Sequence, residues 1–208
     1  MYTAIICAAG AGTRMGMPKA LCRLGDCTFL QNILHTLVRA DIQRAIVMVG
    51  AEAEKIIALH RESDKTPTQI DIAFYVSPNW RDEHMLETLT AGISKIHCES
   101  GVIHWPVDCV HIHADDLRKL VFCGDEPLRA LAWNHTPEHP MRMTPQAVSH
   151  FLHHHYHSLR DFVEELGVTP VEAQHPALLN CNTQAQLQSF VHQYGDGSGL
   201  EPHRGERV

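Results

Sequence analysis

The chain has 208 residues, 44% hydrophobic and 20% charged, with a formal net charge of −7 when its 17 histidines are neutral. That length suits one sizeable α/β domain with a proper core rather than two, and the acidic balance argues against a general nucleic-acid-binding surface. No apolar run of about 18 residues and no basic N-terminal region occur, and the seven cysteines are scattered without a C-x-x-C pair, so neither a membrane span nor a signal peptide is expected and reduced thiols in a cytoplasmic protein fit best.

Thr3 to Cys7 is a short apolar run that predicts a first, buried strand. Directly after it, Ala8-Ala9-Gly10-Ala11-Gly12-Thr13-Arg14-Met15-Gly16-Met17-Pro18-Lys19-Ala20-Leu21 combines small residues with two cations. Glycines let the backbone turn tightly and bring its N–H groups up to a ligand, and Arg14 and Lys19 add positive charge. At the end of a first strand this composition suits a polyanion such as a triphosphate. A dinucleotide fingerprint is excluded because Gly16 falls one residue late after Gly10 and Gly12, and a Walker A loop because Met17-Pro18 follows Gly16.

Leu24-Gly25-Asp26 reads as a turn, and Thr28 as the cap of a helix to about Ala40. Ala45–Val49 is a second buried strand, Glu52–Arg61 a helix, Ile70–Val76 a third strand and Ser77–Trp80 a turn. Met85–Ile96 is expected to be helical and Gly101–Trp105 a further strand. Beyond Pro106 the spacing predicts a helix at Ala114–Phe122, a strand at Leu128–Trp133 and helices at Pro145–His155 and Ser158–Leu166. Short strands at Val168–Ala173 and Ala177–Leu179 follow, then a helix opened by the Thr183/Gln186 capping box and running to about Tyr194. Alternating strands and helices predict a three-layer α/β/α fold on a mostly parallel, doubly wound, Rossmann-like sheet. One domain over residues 1–194 and a polar, disordered tail over 195–208 are expected.

Asp108 is expected at the carboxyl end of the strand leading into Trp105-Pro106-Val107, where open α/β sheets bind ligands. A carboxylate there offers Mg²⁺ a hard oxygen. Cys109, His111 and His113 alternate, so on an extended segment they share one face and would suit a tetrahedral zinc ion. His153-His154-His155-Tyr156-His157 is a second place where a transition metal would be at home.

The Ala8–Leu21 stretch resembles the signature loop of the nucleotidyltransferases, A-A-G-x-G-x-R-M-G-x-x-K-x-L. The resemblance implies that Ala8, Ala9, Gly10, Ala11, Gly12 and Thr13 wrap a nucleoside triphosphate, that Arg14 and Lys19 contact its phosphates in catalysis, and that Asp108 is the catalytic metal aspartate. Asn180-Cys181-Asn182-Thr183 is similar to a segment of molybdenum cofactor nucleotidyltransferases in which Asn182 would be the second Mg²⁺ ligand. Asn79-Trp80-Arg81-Asp82-Glu83-His84-Met85-Leu86-Glu87-Thr88-Leu89-Thr90-Ala91-Gly92-Ile93 resembles a nucleotide-binding segment of the cytidylyltransferase branch and implies roles for Thr88 and Gly92, with His84 where that branch has glycine. Glu138-His139-Pro140 resembles its G-H-P segment, and Cys109-Val110 departs from it beside the metal. Ala8-Ala9-Gly10 favours CTP, whereas Ser158–Phe162 and Leu179–Thr183 look like the guanylyltransferase branch. The implied reaction is transfer of a nucleoside monophosphate to a phosphorylated small molecule or pterin acceptor, favoured as molybdopterin, with release of pyrophosphate. GTP as donor, sugar, choline or polyol phosphates as acceptors, and a nucleotide-binding accessory protein without turnover stand as alternatives.

Overall fold

The computed structural model of the chain describes residues 1–77, 80–81, 85–96 and 100–195. β1 (Tyr2–Ala8) is the expected first strand, and it is buried from Thr3 onward because parallel neighbours flank it and helices cover both its faces. A small hairpin of β2 (Arg23–Leu24) and β3 (Cys27–Thr28) closes the Gly25 turn before α1 (Phe29–Arg39). Thr28 caps α1 as its sequence predicts, its hydroxyl accepting from Gln31 N while the Gln31 side chain accepts from Thr28 N. Such a cap is worth about 1 kcal/mol.

β4 (Arg44–Val49), α2 (Ala53–Glu62), β5 (Asp71–Val76), α3 (Met85–Ile93) and β6 (Gly101–Pro106) continue the alternation. α4 (Ala114–Phe122), β7 (Leu128–Trp133), β8 (Thr136–Met143), α5 (Pro145–His153), α6 (Leu159–Leu166), β9 (Thr169–Glu172) and α7 (Gln184–Tyr194) complete it. The main sheet has the order β5-β4-β1-β6-β8-β7-β9. β8 alone pairs antiparallel, with β6 and β7, and the other neighbouring pairs are parallel. From β1 the chain builds outward through β4 to β5, then returns to place β6 on the other side of β1. The switch point therefore lies between the carboxyl ends of β1 and β6.

Alternate residues of β1 divide the core. Ala4, Ile6 and Ala8 pack with α1, α2, α4 and α7, while Ile5 and Cys7 pack with α3, α5 and α6. Three layers result, as expected. Full burial of side chains such as Ile6, Leu34 or Leu117 stabilises the fold by about 1.5–3 kcal/mol each.

Four elements differ from the sequence reading. β8 is not anticipated by it, because Pro137 and Pro140 disguise the strand. The register shifts between Ala130 and Ala132, so His139-Pro140 falls in an irregular stretch where the missing proline N–H costs no ladder bond. The β7–β8 turn, Asn134-His135, has positive φ at both residues (53° and 62°), the geometry of a two-residue hairpin. The strand expected at Ala177–Leu179 is instead an isolated bridge between Leu178 and Val110, since only one pair of residues comes within pairing reach. The helices expected to reach Ile96 and His155 end at Ile93 and His153. Pro78, Asn79, His84 and the tail from 196 lie outside the described residues. Among the described residues no helix is long and apolar enough to cross a membrane.

Candidate active site

After β1 the chain turns through Gly12 (φ 61°, ψ 35°), a short 3₁₀ turn at Thr13–Met15 and Gly16 (φ 76°). Ala9 O accepts from Ala51 N at 3.1 Å, tying the start of the loop to the end of β4. Met15 is buried, whereas Gly10, Thr13 and Arg14 remain exposed and Ala11 and Gly12 partly so. Ala8 and Ala9 are buried, so what they offer a ligand is backbone. A second 3₁₀ turn, Lys19–Leu21, buries Ala20 and leaves Lys19 on the crevice.

Gly12 is the position at which this loop depends on glycine. A Cβ there would lie 1.9 Å from Met17 O, on a backbone that L side chains rarely adopt. Gly12→Ala is expected to weaken nucleotide binding at least about tenfold. Gly10, where a Cβ would meet nothing within 4 Å, should accept alanine without change in the unliganded fold. Calorimetric titration with each nucleoside triphosphate checks both, and wild-type affinity in Gly12→Ala would refute the loop's role.

Asp108 stands just beyond β6, held by backbone bonds Val107 N to Cys7 O and Cys181 N to Asp108 O, each 3.1 Å. The second of these, with the Val110–Leu178 bridge, straps segment 177–183 against the loop after β6. Buried Asp116 at the start of α4 accepts from Gln174 N, His175 N and His175 Nδ1, fixing the chain that enters this segment. The sequence reading passes over Asp116, which looks like any first-turn carboxylate of a helix.

Four residues distant in sequence thereby converge. Lys19 Nζ lies 2.7 Å from Asp108 Oδ2 and 2.7 Å from Asn182 Oδ1, and Arg14 Nη2 donates to the same Asn182 oxygen at 3.0 Å. Asn182 Nδ2 donates to Asn180 O at 2.6 Å, and Asn182 N donates to Gln186 Oε1 at 2.8 Å. The amide oxygen is therefore turned toward the cations. A carboxylate and an amide oxygen on a common cation are hard donors, and the set suits Mg²⁺, which binds through one or two such groups and completes its shell with water and phosphate. Asp108 and Asn182 are the residues that could hold it.

Around this cluster the thiols stay neutral. Burial, with a smaller contribution from Asp108, pushes Cys7 and Cys109 up to about 12, and burial raises Cys181 to about 11. A neutral, buried thiol is a poor nucleophile near neutral pH. His104 and His139 meet edge-on with ring centroids 4.9 Å apart. Burial lowers His139 from 6.5 to about 4 against the opposing pull of Asp108, and lowers fully buried His104 well below its ordinary value.

These two histidines set an acid limit on stability. In the unfolded chain they take up protons as pH falls through about 6.5, but in the folded chain not until much lower, so stability is lost between about pH 6.5 and 4. The shift at His139 corresponds to about 3 kcal/mol over that window. Urea unfolding midpoints should fall more steeply with acid in wild type than in His139→Gln, and equal slopes would contradict the assignment.

Thr88 and Gly92 do not join the cluster of charged residues. Both are buried in α3, and a Cβ on Gly92 would lie 2.6 Å from Ile5 Cγ2, so its smallness serves the packing of α3 on β1. The Cys109/His111/His113 alternation does not form a zinc face. His111 takes a positive φ of 59°, which breaks the extended alternation, and it packs on Phe190 while His113 caps α4 and stacks on His175. A largely apolar cavity of about 350 Å³ is lined by residues of β7, β8 and α6, with Glu138 and His139 among them, and His139 is near enough to Asp108 to feel its charge. Asn180 Nδ2 donates to Glu138 Oε2 at 3.3 Å, which joins this wall to the segment carrying Asn182.

The family model for the MobA-like NTP transferase domain matches residues 4–203. Bifunctional protein GlmU of Synechococcus elongatus is 38% identical over 73 residues, 34% of this chain and 15% of that protein, so the match spans a small part of that relative. Rv0371c from Mycobacterium tuberculosis H37Rv has a similar fold (TM-score 0.74, 17% identity, 92% of this chain and 98% of that one). It has also been solved in complex with manganese. UDP-glucose pyrophosphorylase from Acinetobacter baumannii is similar as well (TM-score 0.74, 12% identity, 96% and 95% of the two chains).

Proposed function

The chain belongs to the MobA-like NTP transferase family and is a nucleotidyltransferase; from that premise we propose that it moves the nucleoside monophosphate of a nucleoside triphosphate, CTP by preference, onto the phosphate of an acceptor, molybdopterin by preference. The observation that carries this reading is the meeting of Arg14, Lys19, Asp108 and Asn182 at the mouth of the glycine loop.

An oxygen of the acceptor phosphate attacks the α-phosphorus, the bond from that phosphorus to the bridging oxygen breaks, and the electron pair leaves with pyrophosphate. The loop backbone from Ala8 to Thr13 receives the phosphates, and Arg14 and Lys19 neutralise charge as it shifts to the leaving group. Asp108 and Asn182 would hold Mg²⁺, which would supply Lewis-acid stabilisation of that charge. Lys19 bridges both oxygens in the unliganded chain, and its long side chain allows the ammonium to move onto the phosphates when nucleotide binds. Positioning and electrostatics account for the rate, so no general base is needed.

The pterin preference draws support from the largely apolar cavity that includes His139, with Ala130, Met141, Leu159 and Val163 in its walls. Such walls would cover a planar heteroaromatic ring, and Glu138, His139 and Arg160 in the same lining offer partners to its polar edge. A sugar phosphate acceptor is the second reading, favoured by the local identity to GlmU. Pyrophosphate release, measured with Mg²⁺, each nucleoside triphosphate and a panel of molybdopterin and sugar, choline and polyol phosphates, tests the proposal. Release with CTP and molybdopterin is expected. Release only with a sugar phosphate establishes the second reading. Nucleotide binding without release from any pair points to an accessory protein.

A further inference from the structure

The last turn of α5 carries His150 and its cap is His154, one helical turn on, and Glu165 on α6 faces them. His150 Nε2 lies 2.9 Å from Glu165 Oε1, the two imidazoles stack with centroids 4.0 Å apart, and one ligand atom from each residue falls within 4.8 Å of the others. We propose that His150, His154 and Glu165 form a site for a borderline divalent transition-metal ion of the Zn²⁺ class, clamping α5 to α6.

Two features beyond proximity favour a ligand role. His154 Nδ1 lies 2.9 Å from His150 O, and a proton on that nitrogen leaves Nε2 with its lone pair free. A carbonyl behind an imidazole is the usual outer-shell partner of a metal-bound histidine. The frame is also preorganised. Phe151, Tyr156 and Phe162 pack ring on ring across the α5–α6 connection, and the Ser158/Asp161 capping box fixes where α6 begins. Tetrahedral coordination at about 2.0–2.1 Å needs ligand atoms about 3.3 Å apart, a short adjustment for the exposed His154 and Glu165 side chains.

Two imidazoles and a carboxylate leave room for water at the remaining position, as in open zinc sites. Nitrogen donors select Zn²⁺, Ni²⁺ or Cu²⁺ over Mg²⁺, so this site differs in metal preference from the all-oxygen pair Asp108 and Asn182. Because the ion would bind only the folded helix pair, occupancy raises thermal stability by mass action.

The test uses the full-length chain without a histidine tag, stripped with chelator and titrated with Zn²⁺ against a chromophoric competitor in excess Mg²⁺. One equivalent is expected to bind, with a rise in melting temperature. Affinity should fall at least about tenfold in His154→Ala and Glu165→Gln and stay unchanged in His155→Ala and Asp108→Asn. Co²⁺ should give ligand-field bands without a sulfur charge-transfer band. Circular dichroism checks the folding of each variant, which the exposure of His154 and Glu165 favours in the two that remove ligands. Equal zinc affinity in wild type, His154→Ala and Glu165→Gln, or a cobalt–sulfur band, would overturn the site.

Discussion

Asp108→Asn is expected to lower turnover by about a thousandfold while leaving the protein folded. The substitution keeps the shape of the side chain and removes its charge. It takes away the one carboxylate in the cluster and leaves a neutral amide beside the amide of Asn182, so divalent-metal affinity at this pair should collapse along with the rate. The stability cost is smaller. Lys19 and Asp108 side chains are 18% and 17% exposed, so water partly solvates the ammonium left behind, and it still has Asn182 Oδ1 at 2.7 Å. Loss of about 1–2 kcal/mol follows, between the values for surface and buried pairs. Steady-state pyrophosphate release paired with urea unfolding separates the two effects. Turnover within about threefold of wild type would remove Asp108 from the chemistry.

Lys19→Met should reduce turnover by two orders of magnitude or more, and it makes a second, opposite prediction about metal. In the unliganded chain the Lys19 ammonium occupies the space between Asp108 Oδ2 and Asn182 Oδ1, competing with any other cation for both. Methionine fills a similar volume without charge. Mn²⁺ or Mg²⁺ should therefore bind the nucleotide-free variant several-fold more tightly than it binds wild type, even as catalysis fails. Electron paramagnetic resonance of Mn²⁺ titrations reads the first effect and the turnover assay the second. Weaker metal binding in Lys19→Met would mean that these oxygens form a structural ion pair and are not a metal site. Arginine should not restore the rate, because a planar fork cannot replace a compact charge at 2.7 Å from two separate oxygens.

Lys19 and Arg14 stand out as candidates in the sequence because a short loop of glycines and cations gathers its features in nearly consecutive residues. Asp108 was legible because it closely follows a buried strand that ends in the crevice of a doubly wound sheet. Thr88 and Gly92 sit in an equally suggestive segment, yet both are buried where α3 packs on the sheet. A small residue that admits a ligand and one that admits a neighbouring side chain look the same in one dimension. Asp116 and His104 left no sequence signal, and His139 only a resemblance to a G-H-P segment, since their packing arises from partners 35 to 59 residues away.

The sequence by itself determined the alternation of elements, the small-residue, cation-bearing loop after β1 and the helix caps at Thr28 and Thr183, because periodicity, backbone freedom and capping act over a few neighbouring residues. Tertiary structure alone decided that β8 runs antiparallel in the middle of the sheet, that Asn182 turns its oxygen to Lys19, and that His150 and His154 face Glu165. Strand order, side-chain orientation and long-range pairing are collective outcomes of packing, set by which surfaces the whole chain must bury together.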